Sequence, residues 1–250
     1  MNLREQVDKL MDYNQALQAW DLVKDTNDPL KDKVWLKVRH AFEPEEYDKY
    51  YREDLREYPL KEEYVYDCTR VEPRLDWVVR EIINKDQSPM VDLGCADGFL
   101  CLTLARFTIE CVGVNLYKPS VDLANKRAWD NNLPCKFING NLFDHEGEYE
   151  AVVLMEVLEH LPDPKRGIEK AYSLCKPGGS VYLSTPRVDH LGIEAHLEKT
   201  DREGWDDGLP AGHLRLFTEE EFRVMLEGYN VKQFIVDQNR NMSVEIIKEV

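Results

Sequence analysis

No apolar run in this chain approaches the roughly 20 residues that a membrane-spanning helix needs. The longest, such as 151–155 and 111–116, are only a few residues long. The opening "MNLREQVDKL" carries no apolar core of a signal peptide. These absences lead to the expectation of a soluble, unprocessed, cytoplasmic protein without a membrane span. Cysteine is sparse and unpatterned: the six, at 68, 95, 101, 111, 135 and 175, form no CxxC pair and no zinc-type spacing. Several lie inside apolar runs, where a free thiol behaves as a small hydrophobe, so a reducing compartment is expected. Positive charge is also scarce, with 32 basic against 48 acidic residues and a formal net charge of -16. Such a chain repels polyphosphate unless a local basic groove overcomes it. Long nucleic acid is therefore disfavoured as a partner, while a single nucleotide or an RNA end is not excluded.

What is present begins with periodicity. At 250 residues the chain can bury a substantial core. From about residue 90 short apolar runs alternate with longer amphipathic segments, the pattern of a parallel α/β sheet. Strands are predicted near 89–94, 109–114, 135–139, 150–155 and 179–184, with helices near 99–107, 118–131 and 164–175. A helix over about 218–228 opens on Thr218 with Glu221 three residues on, the form of a capping box. The runs "VKQFIVDQN" and "MSVEIIKEV" predict a terminal β-hairpin, hence an antiparallel strand at the sheet. Residues 1–70 read as a charged, aromatic-rich helical extension or lid, and 71–250 as the main domain. Its first helix is expected over about 71–84, and 186–216 as a long loop or small insertion on the substrate side.

"MVDLGCADGFLCLTLA" reads as strand, tight turn and helix, with Gly94, Ala96 and Gly98 on the turn. Small residues there let the backbone approach a ligand at the carboxyl edge of the sheet. The third glycine of GxGxxG is missing, so this is not the dinucleotide fingerprint. "ECVGVN" ends the second strand at Asn115, where nucleotide-binding folds offer a polar side chain to ribose. "FINGNLFD" ends the third near Asn141, and "CKPGGSVYLSTP" turns tightly into the fifth.

In this order, DLGCADG, GVN, NGN, EVLEH and KPGG resemble the class I S-adenosylmethionine-dependent methyltransferases over roughly residues 70–250. Within that class the sequence is similar to ubiquinone-type O-methyltransferases and related small-molecule enzymes. The resemblance implies a three-layer Rossmann-like α/β fold with a seven-stranded, mostly parallel sheet ending in the antiparallel hairpin. It also implies methyl transfer from S-adenosyl-L-methionine, with S-adenosyl-L-homocysteine as product and a small-molecule oxygen acceptor. Site residues carry over with it. Arg74 of "RLDWV" would hold the methionine carboxylate. Asp92 and Gly94 would line the methionine end, Asn115 the ribose, Asn141 and the Leu142 amide the adenine, and Met155 the adenosine side, with Ala96, Gly98 and Leu116 also binding the cofactor. Asn at 115 and 141 replaces the family's usual acids and lacks the strength of a charge-assisted hydrogen bond.

"VLMEVLEHLPDP" stands where an acceptor should enter, and its Glu156, Glu159 and His160 would share one face of a helical turn. Three readings are open. The cluster shapes the loop; His160 or the distant His213, with Glu156, serves general-base catalysis; or Glu156, Glu159, His160 and His213 hold a divalent metal. The last resembles small-RNA 2′-O-methyltransferases and makes metal-assisted methylation of a nucleotide or RNA 3′ end the alternative activity. A noncatalytic S-adenosylmethionine-binding protein is the alternative of another kind. No motif specifies an oligomeric state.

Overall fold

The computed structural model describes residues 2–12, 16–28, 30, 31, 34, 73–187, 216–237 and 241–250. His213, His190, His196, nearly all of the 186–216 segment and the aromatic residues from Trp35 to Tyr66 lie outside the described residues. The described residues divide between two compact units. Those within Met1–Glu57, Glu159–Pro162 and Pro186–Phe222 form one, and those within Tyr58–Leu158, Asp163–Thr185 and Arg223–Val250 the other.

In the first unit, α1 (Leu3–Asp12) and α2 (Ala16–Val23) lie against each other. Asn2 caps α1 reciprocally with Glu5: its Oδ1 accepts from the Glu5 N–H at 2.9 Å, and its own N–H donates to Glu5 Oε2 at 2.8 Å. Val7, Ala19 and Val23 are fully buried, as an amphipathic stripe requires. The predicted capping box forms further along the chain. Thr218 N donates to Glu221 Oε2 at 2.8 Å and Glu221 N to Thr218 Oγ1 at 3.2 Å, opening a helix over Glu219–Met225.

The second unit carries the sheet. After α3 (Pro73–Asn84) come β1 (Met90–Leu93), α4 (Phe99–Ala105), β2 (Cys111–Asn115), α5 (Lys118–Asp130), β3 (Cys135–Asn139) and β4 (Tyr149–Met155). Then follow α6 (Pro164–Leu174), β5 (Cys175–Pro186), β6 (Val231–Val236) and β7 (Asn241–Ile247). The seven strands run in the order β3-β2-β1-β4-β5-β7-β6. The first five are parallel, and β6 pairs antiparallel with β7. This is the expected Rossmann-like, mostly parallel α/β sheet with its terminal hairpin. Each predicted strand is present, and β5 starts earlier than its apolar run because the KPGG turn already pairs at Cys175.

Burial explains why these residues make these elements. All four residues of β1 are buried, as in a strand covered on both faces. Val78 and Ile82 of α3, Leu100 and Leu104 of α4, and Ala124 of α5 join Phe137, Val153 and Tyr182 in one core. Asp163 caps α6 by accepting from the Arg166 N–H at 3.0 Å, and Pro164 follows in the first turn, where its missing N–H is harmless. The hairpin is fastened by a buried polar network. Glu245 of β7 accepts from Ser180 Oγ at 2.8 Å and from Lys85 Nζ at 2.5 Å, while Gln87 donates to Ser180 Oγ and accepts from Tyr182 OH, each at 2.7 Å.

Candidate active site

The ends of β1, β2, β3 and β4 bring most of the expected site residues to one edge of the sheet. The turn after β1 is the sharpest. Gly94 has φ +89° and Gly98 φ +85°. A Cβ on Gly94 would meet Val157 Cγ2 at 2.4 Å, and one on Gly98 would meet the Phe137 ring at 2.6 Å. The two glycines are therefore required by both conformation and space. Ala96, between them, also has positive φ, +46°, a strain that glycine would avoid. The Gly94 and Cys95 amides both donate to the Val114 carbonyl, at 2.8 and 3.1 Å, tying this turn to β2. Arg127 of α5, almost fully buried, donates to the Asp97 carbonyl at 3.2 Å and to its carboxylate at 2.8 Å.

Asp92, near the end of the same strand, is buried, and burial pushes its carboxyl up to about 7. Burial likewise pushes the Cys95 thiol up, so it stays protonated. Asn115 ends β2 and is buried. Its carbonyl accepts from Asn139 Nδ2 at 3.1 Å and from the Gly140 N–H at 3.0 Å, and the Leu116 carbonyl accepts from Asn139 Nδ2 at 2.7 Å. Asn141 Oδ1 accepts from the Phe143 N–H at 3.0 Å and so caps a short 3-10 turn over Leu142–Asp144. That bond turns the amide nitrogen of Asn141, a donor, away from the cap. The Arg166 guanidinium lies 4.5 Å from the centre of the Phe143 ring, a cation–π contact that steadies the same turn.

At the end of β4, Met155 is half-buried and packs against the core. Glu156 stands in left-handed backbone, φ +54°. Its Oε1 accepts from Ser184 Oγ at 2.6 Å and lies 3.6 Å from Arg74 Nε in the first turn of α3. Burial raises the Glu156 carboxyl, and Asp237 raises it further, while Arg74 and the Ser184 bond oppose them. The expectation that Glu156, Glu159 and His160 share one helical face is corrected here. The helical turn is a 3-10 segment confined to Leu158–His160, and Glu156 precedes it in a conformation that no helix contains. Glu159, fully buried, and His160 fall within the smaller unit, and Glu156 within the larger. Among the described residues no group of three or more His, Cys, Asp or Glu side chains could hold a metal ion. The proposed four-residue metal set includes His213, outside those residues.

Sequence reasoning missed Ser184, Asn139, Arg127 and Asp237. Arg127 had a signal: it interrupts the buried stripe of Val121, Ala124 and Ala128 on α5, and a charge on such a stripe needs a partner. The other three carried none, because their partners arrive from distant strands.

The family model described as Methyltransferase domain matches residues 68–233, more than half of the chain. The protein thus belongs to the methyltransferase-domain family. Over 121 residues it is 30% identical to the ubiquinone biosynthesis O-methyltransferase of Erwinia tasmaniensis, covering 46% of this chain and 50% of that one. Over 153 residues it is 28% identical to the ubiquinone biosynthesis O-methyltransferase of Escherichia coli O157:H7, covering 59% and 63%. The matched stretch spans about half to two thirds of the length of these relatives. Among solved structures, magnesium protoporphyrin IX methyltransferase from Synechocystis PCC 6803 with bound S-adenosylhomocysteine superposes with a TM-score of 0.61 at 19% identity, over 81% of this chain and 98% of that one. That likeness establishes the fold. Among the described residues no helix is long and apolar enough to cross a membrane.

Proposed function

We propose that the protein is an S-adenosylmethionine-dependent methyltransferase acting on an oxygen of a small molecule. The observation that carries the reading is the turn from Gly94 to Gly98, where any Cβ on either glycine would strike a neighbour and the backbone is shaped to meet a ligand at the carboxyl edge. The residues around it fit the cofactor. Asn115 would offer its amide to the ribose hydroxyls as donor and acceptor, and with Asn141 Oδ1 held by its cap, Asn141 Nδ2 would be the donor offered to an adenine ring nitrogen. Arg74 would receive the methionine carboxylate, Asp92 and Gly94 would face the amino-acid end, and Met155 and Leu142 would flank the adenosine.

Bound there, S-adenosylmethionine would supply a methyl activated by its sulfonium, with S-adenosylhomocysteine as the product. The chain's own task is to align the acceptor in line with the methyl–sulfur bond and to take its proton. His160 or His213 is the proposed proton acceptor, since an imidazole changes charge close to neutral pH. Neutral Asn at 115 and 141 predicts weaker nucleoside binding than carboxylates would give.

Calorimetric titration with S-adenosylhomocysteine tests the reading. Binding is expected with one site per chain, and Asn115→Ala should weaken it by about tenfold, the weight of one to two hydrogen bonds. Absence of binding by the unaltered protein would overturn the proposal. Methyl transfer to a panel of hydroxylated aromatic molecules then identifies the acceptor class.

A further inference from the structure

The first glutamate of EVLEH is held from several directions. Its N–H donates to the Ser184 carbonyl at 3.1 Å and to Ser184 Oγ at 3.2 Å, and that hydroxyl donates back to Glu156 Oε1 at 2.6 Å. The same oxygen faces Arg74 Nε at 3.6 Å, with only 14% of the Arg74 side chain and 24% of the Glu156 side chain exposed. The backbone here is left-handed, φ +54°, where a residue with a Cβ is strained by about 1–2 kcal/mol relative to glycine. A turn that needed only this backbone would be best served by glycine. A carboxylate retained there points to a use for the side chain, and its neighbours show which.

We propose that Glu156 is a positioning residue for Arg74. Ser184 aims the carboxylate, the carboxylate fixes the Nε edge of the guanidinium, and the guanidinium receives the carboxylate of an amino-acid-bearing nucleoside. The inference rests on the S-adenosylmethionine reading above and moves Glu156 from the proton-transfer step to the recognition of the ligand's amino-acid end. Arginine is suited to this because its planar fork presents five N–H donors, so one edge can rest on a protein anion while another takes a ligand carboxylate. Its long side chain carries about 2 kcal/mol of rotamer entropy when unrestrained, and a fixed anion beside it removes that freedom before the ligand arrives. The alternation of hydroxyl donor, carboxylate, guanidinium and ligand carboxylate also keeps the two anions apart. The charge of Asp237 also acts on Glu156 and raises its carboxyl, which strengthens the need for a cation beside it.

The test compares two probes, S-adenosylhomocysteine and 5′-methylthioadenosine, which shares the nucleoside and thioether but lacks the amino-acid carboxylate. Calorimetry on Glu156→Gln, Ser184→Ala and Arg74→Lys, with unfolding midpoints recorded for each, separates recognition from folding. Glu156→Gln is expected to weaken S-adenosylhomocysteine about tenfold and Ser184→Ala about threefold, in line with losing one charged or one neutral orienting contact, while methylthioadenosine stays within about twofold. Adding Glu156→Gln to Arg74→Lys should cost little more than Arg74→Lys alone. Equal weakening of both probes, or of neither, overturns the proposal. Should Glu156→Gln not fold, Ser184→Ala carries the same comparison with the same two overturning results. Failure of the unaltered protein to bind either probe would instead bring down the methyltransferase reading, before any substitution is made.

Discussion

The turn after β1 and the turn after β4 leave neighbouring buried parallel strands, and both pass through left-handed backbone. After β1 the chain uses glycine at 94 and 98, because Val157 and Phe137 occupy the space a Cβ would need. After β4 it uses Glu156, because there the side chain reaches Ser184 and Arg74. Close approach of the backbone removes side chains, whereas recognition through a side chain accepts strain of about 1–2 kcal/mol to keep one. Ala96 lies between these cases, with a strained φ and no hydrogen-bonding group in its side chain.

The comparison is broken most severely by Gly94→Ala. The new Cβ would stand 2.4 Å from Val157 Cγ2 at φ +89°. Left-handed strain of about 1–2 kcal/mol and overpacking of about 1–3 kcal/mol should together lower unfolding stability by about 2–5 kcal/mol in urea titration, with loss of nucleoside binding. The same substitution at a turn tolerant of side chains would show neither effect.

Next in size is a pH effect at the strand that feeds the glycine turn. The Asp92 carboxyl is pushed by burial from 3.8 to about 7. The folded state therefore holds a proton that the unfolded state releases between those values. Stability associated with this group is fully present below about pH 4 and is lost as pH rises to 7, at about 1.4 kcal/mol per pH unit at most. Denaturant titrations from pH 4 to 8 should show this downward component. Asp92→Asn should abolish it, and an unchanged pH profile in that variant would remove Asp92 as its source.

The smallest effects sharpen the contrast between strain without and strain with a side-chain role. Ala96→Gly should raise stability by about 0.5–1 kcal/mol, since relief of left-handed strain slightly exceeds the entropy lost by glycine. Its affinity for S-adenosylhomocysteine should not change. Glu156→Gly relieves similar strain yet removes the partner of Arg74, so affinity should fall even where the unfolding midpoint does not. Equal affinity in the two variants would erase the distinction.

Much of this was legible beforehand for a local reason. Strand alternation, the Gly94–Gly98 turn, the Thr218–Glu221 capping box and the terminal hairpin depend on neighbours within a few positions. The grouping of Glu156, Glu159 and His160 failed for a reason that is also local but invisible in spacing. An i, i+3, i+4 pattern implies one face only if the backbone is helical throughout, and at Glu156 it is left-handed. The contacts of Arg127 with Asp97, and of Glu245 with Lys85, Ser180 and Tyr182, join residues from separate elements.

The amino-acid sequence by itself determined the alternation of strands and helices, the family, and the positions where the backbone must turn sharply, because periodicity and glycine placement are properties of short segments. Only the tertiary structure decided which charges meet. Arg74 lies on the helix before β1, Glu156 after β4 and Ser184 on β5. Their pairing depends on the parallel order β1-β4-β5, which brings the ends of distant strands to one edge. Hydrogen bonds and ion pairs act over a few ångströms of space, and distance along the chain says nothing about that until the sheet has formed.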